Sequence, residues 1–133
     1  MKEEKQNPNS DIQKKVLVVD DNRDFLTLME MVLSRANFKV LKAARAGTGI
    51  ELAHREKPDL IIMDILMPMM DGIEACRALK RAQDTKDIPV IFCSANADKN
   101  LVLQAVKSGG ADYIIKGFSR KVLLEKISRV LSE

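Results

Sequence analysis

Asp20 and Asp21 stand side by side where the apolar run KVLVVD ends. One polar residue is enough to end a buried strand, and two adjacent carboxylates repel each other. Asp64 ends a second apolar run, DLIIMDI; Ser94 ends another, IPVIFCS; Lys116 ends ADYIIK. Taken singly, each has a structural explanation. Asp21 could cap the helix that follows, Asp64 could be a strand-end polar residue, Ser94 suits any turn, and Lys116 could be a surface amine. Together they are three carboxylates, a hydroxyl and an ammonium, each closing an apolar run. Gathered at one end of one sheet, the carboxylates would raise each other's pKa values. A hard divalent cation relieves that conflict. Mg²⁺ favours octahedral oxygen ligands and is commonly held by a few carboxylates plus phosphate oxygens, with Mn²⁺ as a substitute. A carboxylate without a strong metal bond is a nucleophile toward phosphorus, as in aspartyl-phosphate chemistry. The ammonium and the hydroxyl would then bind phosphoryl oxygens, because phosphoryl transfer needs chiefly positioning and charge neutralisation.

The elements that must position this set follow from periodicity. Short apolar runs are expected as strands at 15–20, 38–43, 59–65, 88–94 and 111–116. Helical spacing is expected at 24–36, with Phe25, Leu28, Met29, Val32 and Ala36 inward, and at 49–57, stopping at Pro58. A third helix starts from Asp71, with Glu74 three residues on as a capping box, and runs through Ile73, Cys76 and Leu79. Two more are expected at 99–109, ending in Gly109 and Gly110, and at 119–131, with Ser119 as cap and Leu123, Ile127, Val130 and Leu131 on one face. Five strand–helix pairs with strands apolar on both faces give a doubly wound α/β fold with a five-stranded parallel sheet. Ligands of such sheets bind outside the carboxyl ends of the strands, at the topological switch point.

Bulk properties narrow the class. The 133 residues fit one domain, 46% apolar and 31% charged. Residues 1–13 carry almost no apolar content and are expected to be a flexible polar tail, leaving 14–133 as the domain. No run approaches a membrane span and the N-terminus has no secretory pattern, so a soluble cytoplasmic protein is expected. Cys76 and Cys93 match neither a zinc spacing nor a disulfide framework and are expected as reduced, buried thiols. His54 is expected to be a solvated surface imidazole, and Met67, Met69 and Met70 to be loop packing and the start of the third helix. The net charge of +3 is too small to imply nucleic acid; the basic C-terminal third is expected as a solvated face.

The segments LVVDDN, IIMDILMPMMDG, VIFCSA and GADYIIKGF, in that order, resemble the receiver domain of two-component response regulators, the chemotaxis-regulator type with a flavodoxin-like (βα)5 fold. The resemblance covers about residues 14 to 132. It implies strand order 2-1-3-4-5 and a signalling switch, not a conventional enzyme. It implies Asp64 as phosphoacceptor, loaded by a histidine kinase or histidine phosphotransfer protein. Asp20 and Asp21 would hold Mg²⁺ beside Asp64, with the backbone carbonyl of Leu66 as a further ligand. Ser94 and Lys116 would bind phosphoryl oxygens, and Tyr113 would be the switch aromatic that turns inward on activation. The output face would be the fourth helix, fifth strand and fifth helix, where Lys121 and Lys126 would steer an acidic partner or a homodimer. No membrane and no direct nucleic-acid contact is expected.

Several positions depart from the pattern. Gly117 follows Lys116 where the family usually has Pro, often after a cis bond; such a bond before a non-proline residue costs about 3–4 kcal/mol. Ser94 replaces the commoner Thr. Leu66 and Asn96 flank the path of a water attacking an acyl phosphate, and apolar Leu66 cannot orient that water. A pseudo-receiver lacking phosphorylation would lack some of these acids, which are all present. A phosphatase would need D-x-D after the first strand, where Asn22 holds the third place. A flavin-phosphate binder would be repelled by paired acids. The last helix takes the chain to its end, which fits a stand-alone regulator or the receiver of a longer protein.

Overall fold

The computed structural model describes residues 13–95 and 98–133. Most of the expected N-terminal tail lies outside the described residues, as does Asn96; Gln13, the tail's last residue, donates to Asn37 Oδ1 at 3.2 Å. Five strands form one parallel sheet: β1 Lys15–Val19, β2 Lys39–Ala43, β3 Leu60–Met63, β4 Val90–Ser94 and β5 Asp112–Ile115, in the order β2-β1-β3-β4-β5. Five helices alternate with them: α1 Arg23–Arg35, α2 Ala46–Glu56, α3 Gly72–Arg81, α4 Lys99–Lys107 and α5 Arg120–Leu131. This is the expected flavodoxin-like doubly wound fold.

Alternation along the strands assigns the two cores. Leu17, Val19, Ile61, Met63, Val90 and Phe92 face α2, α3 and α4. Val16, Val18, Leu60, Ile62, Ile91 and Cys93 face α1 and α5. Burying each such side chain contributes about 1.5–3 kcal/mol. A one-residue slip would exchange the two sets, so the register is tightly specified. That register fixes which residues emerge together at the strand ends.

The first helix corrects the sequence reading. Its buried residues are Leu26, Met29 and Leu33, while Leu28 is 50% exposed. The inward arc is rotated by part of a turn, leaving Phe25 and Val32 at its margin. Two overlapping apolar arcs exist here, and packing against β1 and β2 selects between them. The second helix begins at Ala46, three residues before its expected start, because Gly47 and Gly49 weaken the sequence signal for its first turn. Asp71 and Glu74 form the expected capping box, and Ser119 caps α5 by accepting from Val122 N–H at 3.1 Å. Both thiols are free and buried. His54 lies at the surface, as expected, where its Nδ1 meets Asp84 Oδ2 at 2.8 Å, which Lys57 Nζ also contacts at 3.0 Å. No helix among the described residues is long and apolar enough to cross a membrane.

Candidate functional site

The ladder hydrogen bonds deliver the site residues. Asp20 N–H donates to Ala43 O at 3.0 Å, closing β1 against β2. Asp64 N–H donates to Val19 O at 2.9 Å, so the residue after β3 stands beside the end of β1. Lys116 N–H donates to Ser94 O at 2.8 Å, joining the ends of β4 and β5. The sheet thus places the candidate residues at the carboxyl ends of its strands, with Asp20 and Asp64 flanking the switch point between β1 and β3.

The acidic pair does not cap α1. Asn22 does, accepting from Phe25 N–H at 3.1 Å. Asp20 Oδ1 accepts from Asn22 N–H at 2.9 Å and shapes the turn, and Asp21 is exposed. Helix capping therefore accounts for neither acid.

Asp20, Asp21 and Asp64 present carboxylate oxygens that all lie within 4.8 Å of one another. The Lys116 ammonium is 2.7 Å from Asp20 Oδ2 and 4.0 Å from Asp64 Oδ2. Asp20 is 1% exposed, and the Lys116 ammonium is the partner of its buried Oδ2. Burial, reinforced by the charge of Asp20, pushes Asp64 from 3.8 up to about 6; Lys116 and the Ile65 N–H pull the other way. Burial draws Lys116 down, but the Asp20 bond and the Asp64 charge outweigh it and hold the ammonium above its ordinary value. Three carboxylates face one ammonium in a partly buried cleft, so the lysine neutralises only part of their charge. Those residues fit a hard divalent cation.

Ser94 is buried at the end of β4 and shares a hydrogen bond with the Tyr113 side chain. Burial raises the Tyr113 phenol, and the Ser94 bond partly offsets that. No peptide bond among the described residues is cis, so Lys116–Gly117 is trans, with Gly117 at φ 95°.

The loop after Asp64 differs from expectation. Met67 is buried and Met70 packs on the core, but Met69 is 91% exposed at φ 72°. It neither packs in the loop nor starts α3, which begins at Gly72; its sulfur meets Arg45 Nη1 at 3.3 Å. A non-glycine residue in this left-handed region costs about 1 kcal/mol. The loop closes through Gly72 N–H donating to Ile65 O at 2.7 Å. Sequence reasoning placed Phe25 inward on its helix but missed that its ring meets the Lys116 ammonium, and it missed Phe118, whose ring packs edge-on against that of Phe25.

This fold with this strand-end cluster defines a class of receiver-type α/β domains, and comparison with known proteins agrees. Residues 16–128 match the response regulator receiver domain family, and the chain belongs to it. Protein PilH of Pseudomonas aeruginosa is 34% identical over 118 residues, covering 89% of this chain and 98% of its own. Chemotaxis protein CheY of Bacillus subtilis is 34% identical over 119 residues, again covering 89% and 98%. Against the transcriptional regulatory protein AfsQ1 of Streptomyces coelicolor, 34% identical, the chain covers 87% of itself and 50% of the relative. The receiver domain of sensor histidine kinase PA1611 from Pseudomonas aeruginosa aligns with a TM-score of 0.85 at 27% identity, covering 92% of this chain and 100% of that one; its structure has a magnesium ion coordinated in the active site cleft. Receiver domains of two-component systems are signalling proteins and not conventional enzymes.

Proposed function

We propose that Asp64 accepts a phosphoryl group from a histidine kinase or histidine phosphotransfer protein and that this switches an output surface. The observation that carries this reading is the convergence of three carboxylates within 4.8 Å, with the Lys116 ammonium 4.0 Å from Asp64. With a value of about 6, Asp64 is mostly ionised at neutral pH, as a nucleophile must be. Asp20, Asp21 and Asp64, with the Leu66 backbone carbonyl, would hold Mg²⁺, or Mn²⁺ in its place. The magnesium-bearing relative supports the assignment. When bound, the ion supplies charge neutralisation to the phosphoryl oxygens. Lys116 offers its ammonium to one oxygen and Ser94 its hydroxyl proton to another. A hydroxyl has one proton to give, so this changes the terms of its bond to Tyr113 and carries a local event into β5.

Incubation with acetyl phosphate and Mg²⁺ tests the reading: the intact mass gains one phosphoryl group, and Asp64→Asn gains none. No gain in the unaltered chain would leave an interaction module of the same fold. Asp20→Ala and Asp21→Ala are expected to keep the fold and weaken Mg²⁺ binding. Losing even an outer-shell partner costs about 10–100-fold in metal affinity, so removing a direct ligand should cost at least that, by titration calorimetry. Equal affinity in either variant would remove that residue from the ligand set.

Two further parts rest on the same site. The Leu66 side chain, 57% exposed beside the acceptor, carries no group to orient an attacking water. The phosphorylated form is therefore expected to last minutes to hours; decay within seconds would overturn this. The output face would be α4–β5–α5, where Leu103, Val106, Ile115 and Val122 are exposed. Lys126 is tied to Asp112 at 3.2 Å, so steering of an acidic partner or a second copy falls to exposed Lys121. Lys121→Glu should weaken that association several-fold, and unchanged binding would exclude the role.

A further inference from the structure

The Lys116 ammonium is held by more than its acids. Its Nζ lies 4.4 Å from the centroid of the Phe25 ring. Phe118 braces that ring nearly perpendicularly, with centroids 6.4 Å apart and an interplanar angle of 83°. Phe25 belongs to the first turn of α1, where its own N–H is the one that Asn22 caps. Phe118 lies two residues beyond Lys116, in the loop that leads to α5. Both rings are half-buried against the core between α1, α5 and the sheet. Between Lys116 and Phe118 stands Gly117 at φ 95°, with nothing within 4 Å of where a Cβ would project. The backbone beside the lysine is thus neither stiffened by a side chain of its own nor wedged by a neighbour. A four-carbon stem leaves this permissive position with many rotamers to lose.

The carboxylates attract the ammonium but do so unevenly, at 2.7 Å from Asp20 and 4.0 Å from Asp64. An aromatic face differs from both. It attracts a cation directionally, has no proton to exchange, and does not lose its attraction when a carboxylate's charge is engaged elsewhere.

We propose that Phe25 is a positioning residue for Lys116, its ring face holding the ammonium at the mouth of the acid cluster where an oxygen on phosphorylated Asp64 would meet it. This role rests on Asp64 being the acceptor. It links α1 to the β5–α5 loop through one ammonium, and Phe118 keeps the ring plane in place.

The test compares Phe25→Leu, which keeps apolar bulk and removes the aromatic face, with Phe25→Tyr, which restores the face. In the metal-free protein, the ring current should shift the Lys116 methylene protons next to Nζ upfield. Phe25→Leu should abolish that NMR shift and Phe25→Tyr should recover it. With acetyl phosphate and Mg²⁺, Phe25→Leu should label about threefold to tenfold more slowly, and Phe25→Tyr at the rate of the unaltered chain. In a Lys116→Met background, Phe25→Leu should cause no further slowing, because the partner it positions is gone. The proposal is overturned by an unmoved Lys116 resonance, by equal labelling rates, or by equal slowing in the Lys116→Met background, which would mark a packing effect. An unaltered chain that takes no label while keeping its ring-current shift would refute the acceptor reading, and the positioning role with it, but not the contact.

Discussion

Asp64→Asn is expected to stabilise the metal-free protein at about pH 7.5 and to leave it unchanged near pH 4. Burial, with the charge of Asp20, raises Asp64 from 3.8 to about 6. A group raised on folding favours the fold while it is protonated. That contribution is fully present below about 3.8 and is lost as the pH rises through about 6. Above that window the ionised carboxylate, facing two other acids, works against the fold; the amide of Asn does not. Each pKa unit is worth about 1.4 kcal/mol, and screening in a cleft open to solvent lowers the sum to about 1–2 kcal/mol. Thermal melts in a chelator at the two pH values measure the difference directly. A variant less stable than the unaltered chain at neutral pH would mean that burial and the charge of Asp20 do not set the ionised Asp64 against the fold. Excess Mg²⁺ should reverse the order, because a ligand that binds only the folded state stabilises the chain that keeps the full set of acids. Under the proposed function the same variant should lose all phosphoryl labelling, so that labelling and metal-free stability would change in opposite directions.

Gly72→Ala is expected to destabilise the fold by about 3 kcal/mol or more. A Cβ at Gly72 would stand 2.0 Å from the backbone oxygen of Asp64 and 2.9 Å from its carbonyl carbon. The obstacle is main chain, which cannot rotate aside as a side-chain end can. Moving it would require breaking the Gly72 N–H bond to Ile65 O at 2.7 Å or shifting Asp64 from the end of β3. Urea unfolding gives the stability loss, and Mg²⁺ titration of whatever remains folded gives the damage to the site. A variant within 1 kcal/mol of the unaltered chain would show that α3 can retreat without cost, contrary to the tight closure of Gly72 on Ile65 and Asp64.

The strands were legible because runs apolar on both faces leave few alternatives to a covered parallel sheet. The strand-end residues were legible for a related reason: the point where an apolar run stops is visible in the sequence, and register then brings those points together. What escaped was set by choices the sequence leaves open. Asn22 and Asp21 are both competent caps, and only the turn made by Asp20 decides for Asn22. Leu28 and Leu26 lie on overlapping arcs, and packing against β1 and β2 decides for Leu26. The Phe25–Lys116 contact joins residues ninety-one positions apart and needs both decisions first. Met69 is exposed in a left-handed turn because the loop geometry demands it, against the preference of its side chain.

The two cysteines lie on opposite sides of the sheet, Cys76 in the layer under α2, α3 and α4 and Cys93 in the layer under α1 and α5. No disulfide can join them across the strands. Burial pushes the Cys93 thiol up to about 12 and raises Cys76 as well, so neither reacts while its layer is closed. Each thiol is therefore a built-in clock for one half of the molecule. The rate at which an alkylating reagent reaches Cys76 or Cys93 separately times how often each helical layer lifts from the sheet.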